Sequence, residues 1–172
     1  MDEIFKRGTC RHFKELTPVA EEDLLTLVKA GMQARACGNQ EAREFIIVTR
    51  DDLVKAISHN SLVAGSARKA SAAIVIVGKK ENISFPEEWS FDCAAAAENI
   101  LIEAEHLGLG SIWLQVYPYA DRKAHLLNIL DIPAEMEPFC IIAIGYAERK
   151  PVRMNRYNER IIYNDLYGSR KK

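Results

Sequence analysis

The sequence lacks most of the signals by which small proteins announce themselves. Its four cysteines, Cys10, Cys37, Cys93 and Cys140, include no C-x-x-C pair. That excludes a zinc-ribbon spacing and suggests reduced thiols in a cytoplasm. Its longest uncharged runs, such as Leu107 to Ala120, fall short of the ~18 residues a membrane-spanning helix needs. The first residues, Met1 to Lys6, bring acids early and no apolar signal core, so secretion is not expected. An excess of either charge is also missing. Lys+Arg 23 against Asp+Glu 24 gives a net charge of -1, which does not advertise general nucleic-acid binding. There is no G-x-S-x-G elbow, no G-x-x-x-x-G-K-[ST] loop and no H-E-x-x-H. His12, His59, His106 and His125 are too scattered to suggest a metal site. Gly108-Leu109-Gly110 is too short for a dinucleotide fingerprint and follows a helical pattern rather than a strand.

What is present is an ordinary globular composition. The 172 residues are 48% hydrophobic and 27% charged, which suits one domain spanning 1–172. Folding at this size hides about 70% of the surface that the unfolded chain exposes. No linker or repeat interrupts the chain, but it turns polar near Glu148, and 148–172 reads as a tail. Thr17-Pro18 predicts a helix start, with Leu24, Leu25, Val28 and Met32 recurring at helical spacing and Gly31 weakening its end. Buried strands are expected at Phe45–Thr49, Ala73–Gly78, Ser111–Val116 and Phe139–Gly145. Further helices are expected from Asp51 through Ile57, from Pro86 to about Leu107 with Gly108 as a left-handed cap, and from Arg122 to Leu130. Tyr157 to Tyr163 carries a weak extended pattern. Strands alternating with helices indicate a layered α/β or α+β domain around a central sheet. The helix containing Ala94-Ala95-Ala96-Ala97 is apolar on most sides, so burial all round is expected, with small residues that let a helix of a second subunit approach.

Three clusters carry chemistry. Arg7-Gly8-Thr9-Cys10-Arg11 follows a short amino-terminal helix, and two guanidinium groups bracketing a hydroxyl suit a phosphate. Gly38-Asn39-Gln40 precedes the first strand, and amides there could pair with the edge of a heterocycle, because an amide offers donors and an acceptor together. Arg153-Met154-Asn155-Arg156-Tyr157 adds guanidinium groups from the tail. Taken singly, an exposed basic turn explains the first better than a phosphate site does, and a plain turn also accounts for the second.

Together these segments resemble the FMN-dependent nitroreductase family. Arg7-x-Thr9-x-Arg11 is similar to its R-R-S-x-R element, and Gly38-Asn39-Gln40 to its P-S-x-x-N-x-Q-P-W loop. Asp92 to Leu101, followed by Gly108-Leu109-Gly110-Ser111-Ile112-Trp113-Leu114, resembles its central helix and G-L-G-S-x-W-L strand. Ile132-Pro133, Ile142-Ala143-Ile144-Gly145-Tyr146 and Arg156-Tyr157-Asn158-Glu159 resemble its I-P, A-L-G-Y and R-Y-D-E segments. The matches run in order from Met1 to about Asn164. The resemblance implies an α+β, three-layer domain with a central mixed sheet, helices on both faces and an intertwined homodimer whose tails reach over the partner subunit. It implies an FMN site lined by Arg7, Gly8, Thr9, Arg11, Ala36, Asn39, Gly108, Leu109, Gly110, Arg153 and Arg156. The arginines would grip the phosphate, Asn39 the pyrimidine edge, and Gly108 to Gly110 would pass close to the ring.

The departures are specific. Gly8 stands where an arginine is usual, Arg35-Ala36 replaces Pro-Ser, and Glu41-Ala42-Arg43 replaces Gln-Pro-Trp. Cys37 falls in the same loop, either as a small turn residue or as a thiol beside the flavin. The reading that results is a cytoplasmic, FMN-dependent oxidoreductase with no protein acid, base or metal assigned. It would pass hydride from NADH or NADPH to a small-molecule acceptor, a nitroaromatic, quinone or other flat electrophile, by a ping-pong scheme. Neither nucleic acid nor membrane is expected as a partner. The alternatives are a flavin-binding storage or redox-sensing protein with little turnover, and a thiol redox protein using Cys37 or Cys10.

Overall fold

A computed structural model of the chain describes residues 2–15, 17–59 and 64–169. Four apolar segments form its sheet: β1 (Arg43–Val48), β2 (Ala72–Lys79), β3 (Gly110–Gln115) and β4 (Met136–Gly145). They pair in the order β1-β2-β4-β3. The two inner strands are the most apolar, with Ala72 to Gly78 and all of β4 buried. Successive side chains leave opposite faces of a strand, so each inner strand feeds two cores. Ala72, Ile74, Ile76, Ile142 and Ile144 enter one core; Ala73, Val75, Val77, Ile141 and Ala143 enter the other. The register slips where Ile76 faces Cys140 and Val77 faces Pro138. Pro138 has no N–H to give the ladder, and the bulge turns both Phe139 and Cys140 into the first core.

The first core is covered by α2 (Glu21–Met32) and α5 (Trp89–His106), the second by α3 (Asp51–Ser58) and α6 (Ala120–Ile129). Two short helices, α1 (Glu3–Lys6) and α4 (Ala64–Ala67), complete the set among the described residues. This is the expected three-layer α+β arrangement, with helices on both faces. The sheet itself is a correction. Among the described residues it is antiparallel throughout rather than mixed. The crossover through α5 does leave β2 and β3 running the same way, but β4 is inserted between them and pairs antiparallel with both.

Three local expectations also change. Helix α2 begins at Glu21, not at Thr17-Pro18: the Thr17 hydroxyl donates to Glu15 O at 3.3 Å instead of capping. Glu21, Glu22 and Asp23 then occupy the first turn, where the helix dipole favours acids. Helix α5 is not buried all round, since Phe91 is 68% exposed and Ala94 and Ala95 are half-buried. Tyr157 to Tyr163 is not extended but contains a tight turn at Glu159–Ile161, because Asn158 Oδ1 accepts the Arg160 N–H at 3.0 Å. The end of α5 is as expected. Gly108 has φ 72, Leu109 N–H reaches Ala104 O at 2.8 Å and Gly108 N–H reaches Glu105 O at 3.1 Å, the paired bonds of a Schellman cap. No helix among the described residues is long and apolar enough to cross a membrane.

One buried acid gives the fold a defined pH response. Glu137, at the start of β4, is 6% exposed, and its Oε2 accepts Lys80 Nζ and Lys123 Nζ, each at 2.7 Å. Burial alone would raise its pKa, but the hydrogen bonds and charges of Lys123 and Lys80 outweigh burial and hold the carboxyl below its ordinary value. A lowered folded pKa gives stability that is fully present above the unfolded value of about 4.3 and is lost as the pH falls through the folded one. Glu137→Gln should therefore be less stable than wild type in urea at neutral pH, with the gap closing below about pH 4. A gap that stayed constant down to acid pH would show that the carboxylate charge contributes nothing.

Candidate functional site

Two distant segments are brought together by a short antiparallel clamp. Phe13 bridges Ala147, Lys14 N–H reaches Tyr146 O and Glu148 N–H reaches His12 O, each at 2.8 Å. Cys10 N–H donates to Ser111 O at 2.9 Å, which ties the same segment to β3. Residues 7–11 therefore lie beside the chain that leaves β4. Gly8 packs directly against the tail: a Cβ there would stand 2.5 Å from Pro151 Cβ. The glycine found where the family resemblance expects an arginine is thus what lets the tail cross.

The cleft between these segments has a volume of about 1060 Å³ and is lined by Arg7, Arg11, Arg149, Lys150, Arg153 and Arg156. Gly8 and Thr9 also line it, with Glu98 of α5 as the carboxylate among its described lining residues. Arg7 Nε stands 3.0 Å from Glu98 Oε1. It is nevertheless buried with no aligned hydrogen-bond acceptor. The ion pair with Glu98 therefore holds this edge of Arg7 by charge, off the line of the N–H. Among its described lining residues six cations face one carboxylate, a local excess of positive charge in a chain whose net charge is only -1. Six of the residues singled out from the sequence meet here: Arg7, Gly8, Thr9, Arg11, Arg153 and Arg156. Arg149, Lys150 and Glu98 were missed. The first two were visible as the polar opening of the tail; nothing in the sequence places Glu98 opposite Arg7.

The other five are not in that lining. Ala36 is buried, and Asn39 is exposed at φ 53 in a turn spanning Cys37–Asn39. Arg43 braces the approach to that turn by donating Nη2 to the Met32 carbonyl at 3.3 Å and to the Ala34 carbonyl. Gln40 does not offer its amide to a ligand, because both ends are engaged with Phe85 and Asp92. Gly108 is exposed, and its positive φ, not crowding, calls for glycine. Leu109 puts its side chain into the first core. A Cβ on Gly110 would lie 2.7 Å from Cys10 Sγ, so Gly110 packs against the arginine-bearing segment.

The thiols are mostly inert. All four are free, and Cys10, Cys93 and Cys140 are buried. Burial pushes the Cys10 thiol up, that of Cys93 up to about 12, and that of Cys140 up as well, so none of these three is a thiolate near neutral pH. Cys37 is half-buried. Among the described residues no group of three or more His, Cys, Asp or Glu could hold a metal.

Comparison with known proteins agrees with this geometry. The model of the nitroreductase family matches residues 4–146. A protein of Archaeoglobus fulgidus, provisionally named an NADH dehydrogenase/NAD(P)H nitroreductase, is 35% identical over 144 residues, which is 83% of this chain and 82% of that protein. A solved structure from Clostridium acetobutylicum, provisionally named an NADH oxidase, is similar with a TM-score of 0.92 and 35% identity, over 96% of this chain and 100% of that one. A structure named an FMN-dependent nitroreductase, from Clostridium difficile, has a TM-score of 0.87 at 26% identity, over 97% of this chain and 100% of that one. With a family model spanning most of its length and a relative 35% identical over 82% of that protein, the chain belongs to the nitroreductase family.

Proposed function

We propose that the chain is an FMN-dependent oxidoreductase that takes hydride from NADH or NADPH and delivers it to a nitroaromatic, a quinone or a similar flat electrophile. The observation that carries this reading is the cleft in which Arg7, Arg11, Arg149, Lys150, Arg153 and Arg156 meet around Gly8 and Thr9. The FMN phosphate carries about -1.5 to -2 charges and three acceptor oxygens, which suits that donor set. Arg7, Arg11, Arg153 and Arg156 would hold the phosphate, with Arg149 and Lys150 adding to the field and the Thr9 hydroxyl adding a donor. The backbone at Gly108 to Gly110 would lie beside the flavin, and Ala36 and Asn39 would face its ring. When bound, the flavin supplies the redox chemistry, accepting hydride from the donor and passing it to the acceptor in a ping-pong sequence.

A homodimer accounts for Ala36 and Asn39 lying outside the cleft, since a site shared between subunits can take its phosphate end from one chain and that loop from the other. It is supported by apolar surface left exposed on the tail, with Val152 81%, Tyr157 69% and Ile161 70% exposed. The half-buried alanines of α5 offer a second such surface. In this reading residues 1–172 form one domain whose 148–172 tail reaches over the partner, and the free cysteines accord with a cytoplasmic setting.

The test is an absorbance spectrum of purified protein supplied with FMN, before and after anaerobic NADH or NADPH. A flavin band near ~450 nm that stays with the protein and bleaches is the expected result. A band that is retained but does not bleach with either donor would favour flavin storage or sensing instead. No retained band would overturn the flavin reading.

A further inference from the structure

The loop that carries Ala36 and Asn39 is held by one buried carboxylate. Asp92, in the first turn of α5, is 4% exposed. Its Oδ1 accepts the Cys37 backbone N–H at 2.8 Å, and its Oδ2 accepts Gln40 Nε2 at 2.7 Å. Gln40 is fixed in turn, because its Oε1 accepts the Phe85 N–H at 2.9 Å and its Nε2 also donates to Phe85 O at 3.2 Å. The two oxygens of Asp92 thus clamp the two ends of the Cys37–Asn39 turn. Phe85 closes the other side: a Cβ on Gly38 would stand 2.3 Å from its ring. A buried carboxylate is costly unless its lone pairs are bonded. Here the loop supplies two donors, and the start of a helix suits the charge.

We infer that Asp92 is the positioning residue for this loop, fixing where Ala36 and Asn39 stand and therefore how tightly the ring end of the flavin is held. The inference rests on the flavin reading above and extends it to a residue that touches neither the cleft nor the cofactor.

Asp92→Asn tests it with almost no change of shape. The new amide keeps an oxygen for the Cys37 N–H but turns an NH2 toward Gln40 Nε2. Gln40 cannot answer by flipping, since that would set its oxygen against Phe85 O and its NH2 against the Phe85 N–H. In the full-length variant, FMN should bind about tenfold more weakly by flavin fluorescence titration. Inorganic phosphate, titrated against the amides of residues 7–11, should bind as in wild type, because the cleft is untouched. Amide exchange at Cys37 should quicken by about tenfold while β2 and β4 keep their protection. If Asp92→Asn does not fold, Gln40→Leu carries the test, with FMN weakened about threefold and phosphate unchanged.

Wild-type FMN affinity in a folded Asp92→Asn chain overturns the inference and leaves the flavin reading standing. Equal losses for phosphate and FMN also overturn it, since they would mean general loosening. If the wild-type chain takes up no FMN, the flavin reading falls and this inference falls with it.

Discussion

Replacing Arg7 by alanine should weaken FMN binding by a factor between about ten and about a hundred. A hydrogen bond to a charged group contributes ~1.5–3 kcal/mol, and ~1.4 kcal/mol is tenfold. Arg7 stands out among the cleft cations because its Nε is buried. It is also the cation that stands against Glu98 at 3.0 Å. Removing it leaves that carboxylate facing the phosphate, so repulsion adds to the lost bond. Arg7→Lys should fall between wild type and alanine, because an ammonium keeps the charge but not the planar fork. Riboflavin, which lacks the phosphate, supplies the control: its affinity should not move. Equal losses for FMN and riboflavin would mean that Arg7 supports the fold and does not contact the phosphate. Unchanged FMN affinity would remove the cleft from the site altogether.

Restoring the family's usual arginine at position 8 should make the protein worse. Gly8→Arg adds a cation to an anion cleft, and charge alone predicts tighter FMN. Sterics oppose it. A Cβ at position 8 would stand 2.5 Å from Pro151 Cβ and 3.3 Å from Val152 O. The tail would have to move away from the amino-terminal segment, taking Arg149, Lys150 and Arg153 with it. Overpacking of this kind costs about 1–3 kcal/mol. The expected outcome is a lower urea midpoint together with weaker FMN binding. An unchanged midpoint with tighter FMN would mean that the tail moves freely and that its cations are not held in place by Gly8.

Most of the fold was legible in the sequence because its elements are strongly patterned. β2 and β4 are unbroken apolar runs, and α5 is long and ends in a glycine with the φ of 72 that its cap requires. What misled was local competition. Thr17-Pro18 has the chemistry of a helix start, yet the Thr17 hydroxyl bonds Glu15 O and the helix waits for the acids at 21–23. Strand pairing was less legible. The apolar runs of β2 and β4 mark them as inner strands, but strand direction depends on which strand is inserted between which, and that pairing leaves no trace in β4.

The candidate site divides in the same way. Arg7, Arg11, Arg153 and Arg156 could be grouped because guanidinium chemistry is visible in the residue names. The clamp at Phe13 and Ala147 that joins them is a backbone pairing and leaves no such trace. Asp92 was read only as part of a helical segment. Its role as the anchor of a loop some 55 residues away depends on two hydrogen bonds that exist only after folding.

The position of β4 also governs how the molecule is made. The last strand in the sequence is an inner strand of the sheet, pairing with β2 from Ala72↔Ile144 to Lys79↔Met136 and with β3 on its other edge. A nascent chain that has not yet extended past Gly145 therefore has β2 and β3 but nothing to join them. Two open edges and two unfinished cores must wait on the ribosome until β4 arrives, so folding is dominated by late, long-range contacts, which are slow to form and prone to association while they are missing. The clamp that builds the cleft comes later still, because Ala147 lies just beyond that strand. The cationic cleft is thus among the last parts of the molecule to take shape.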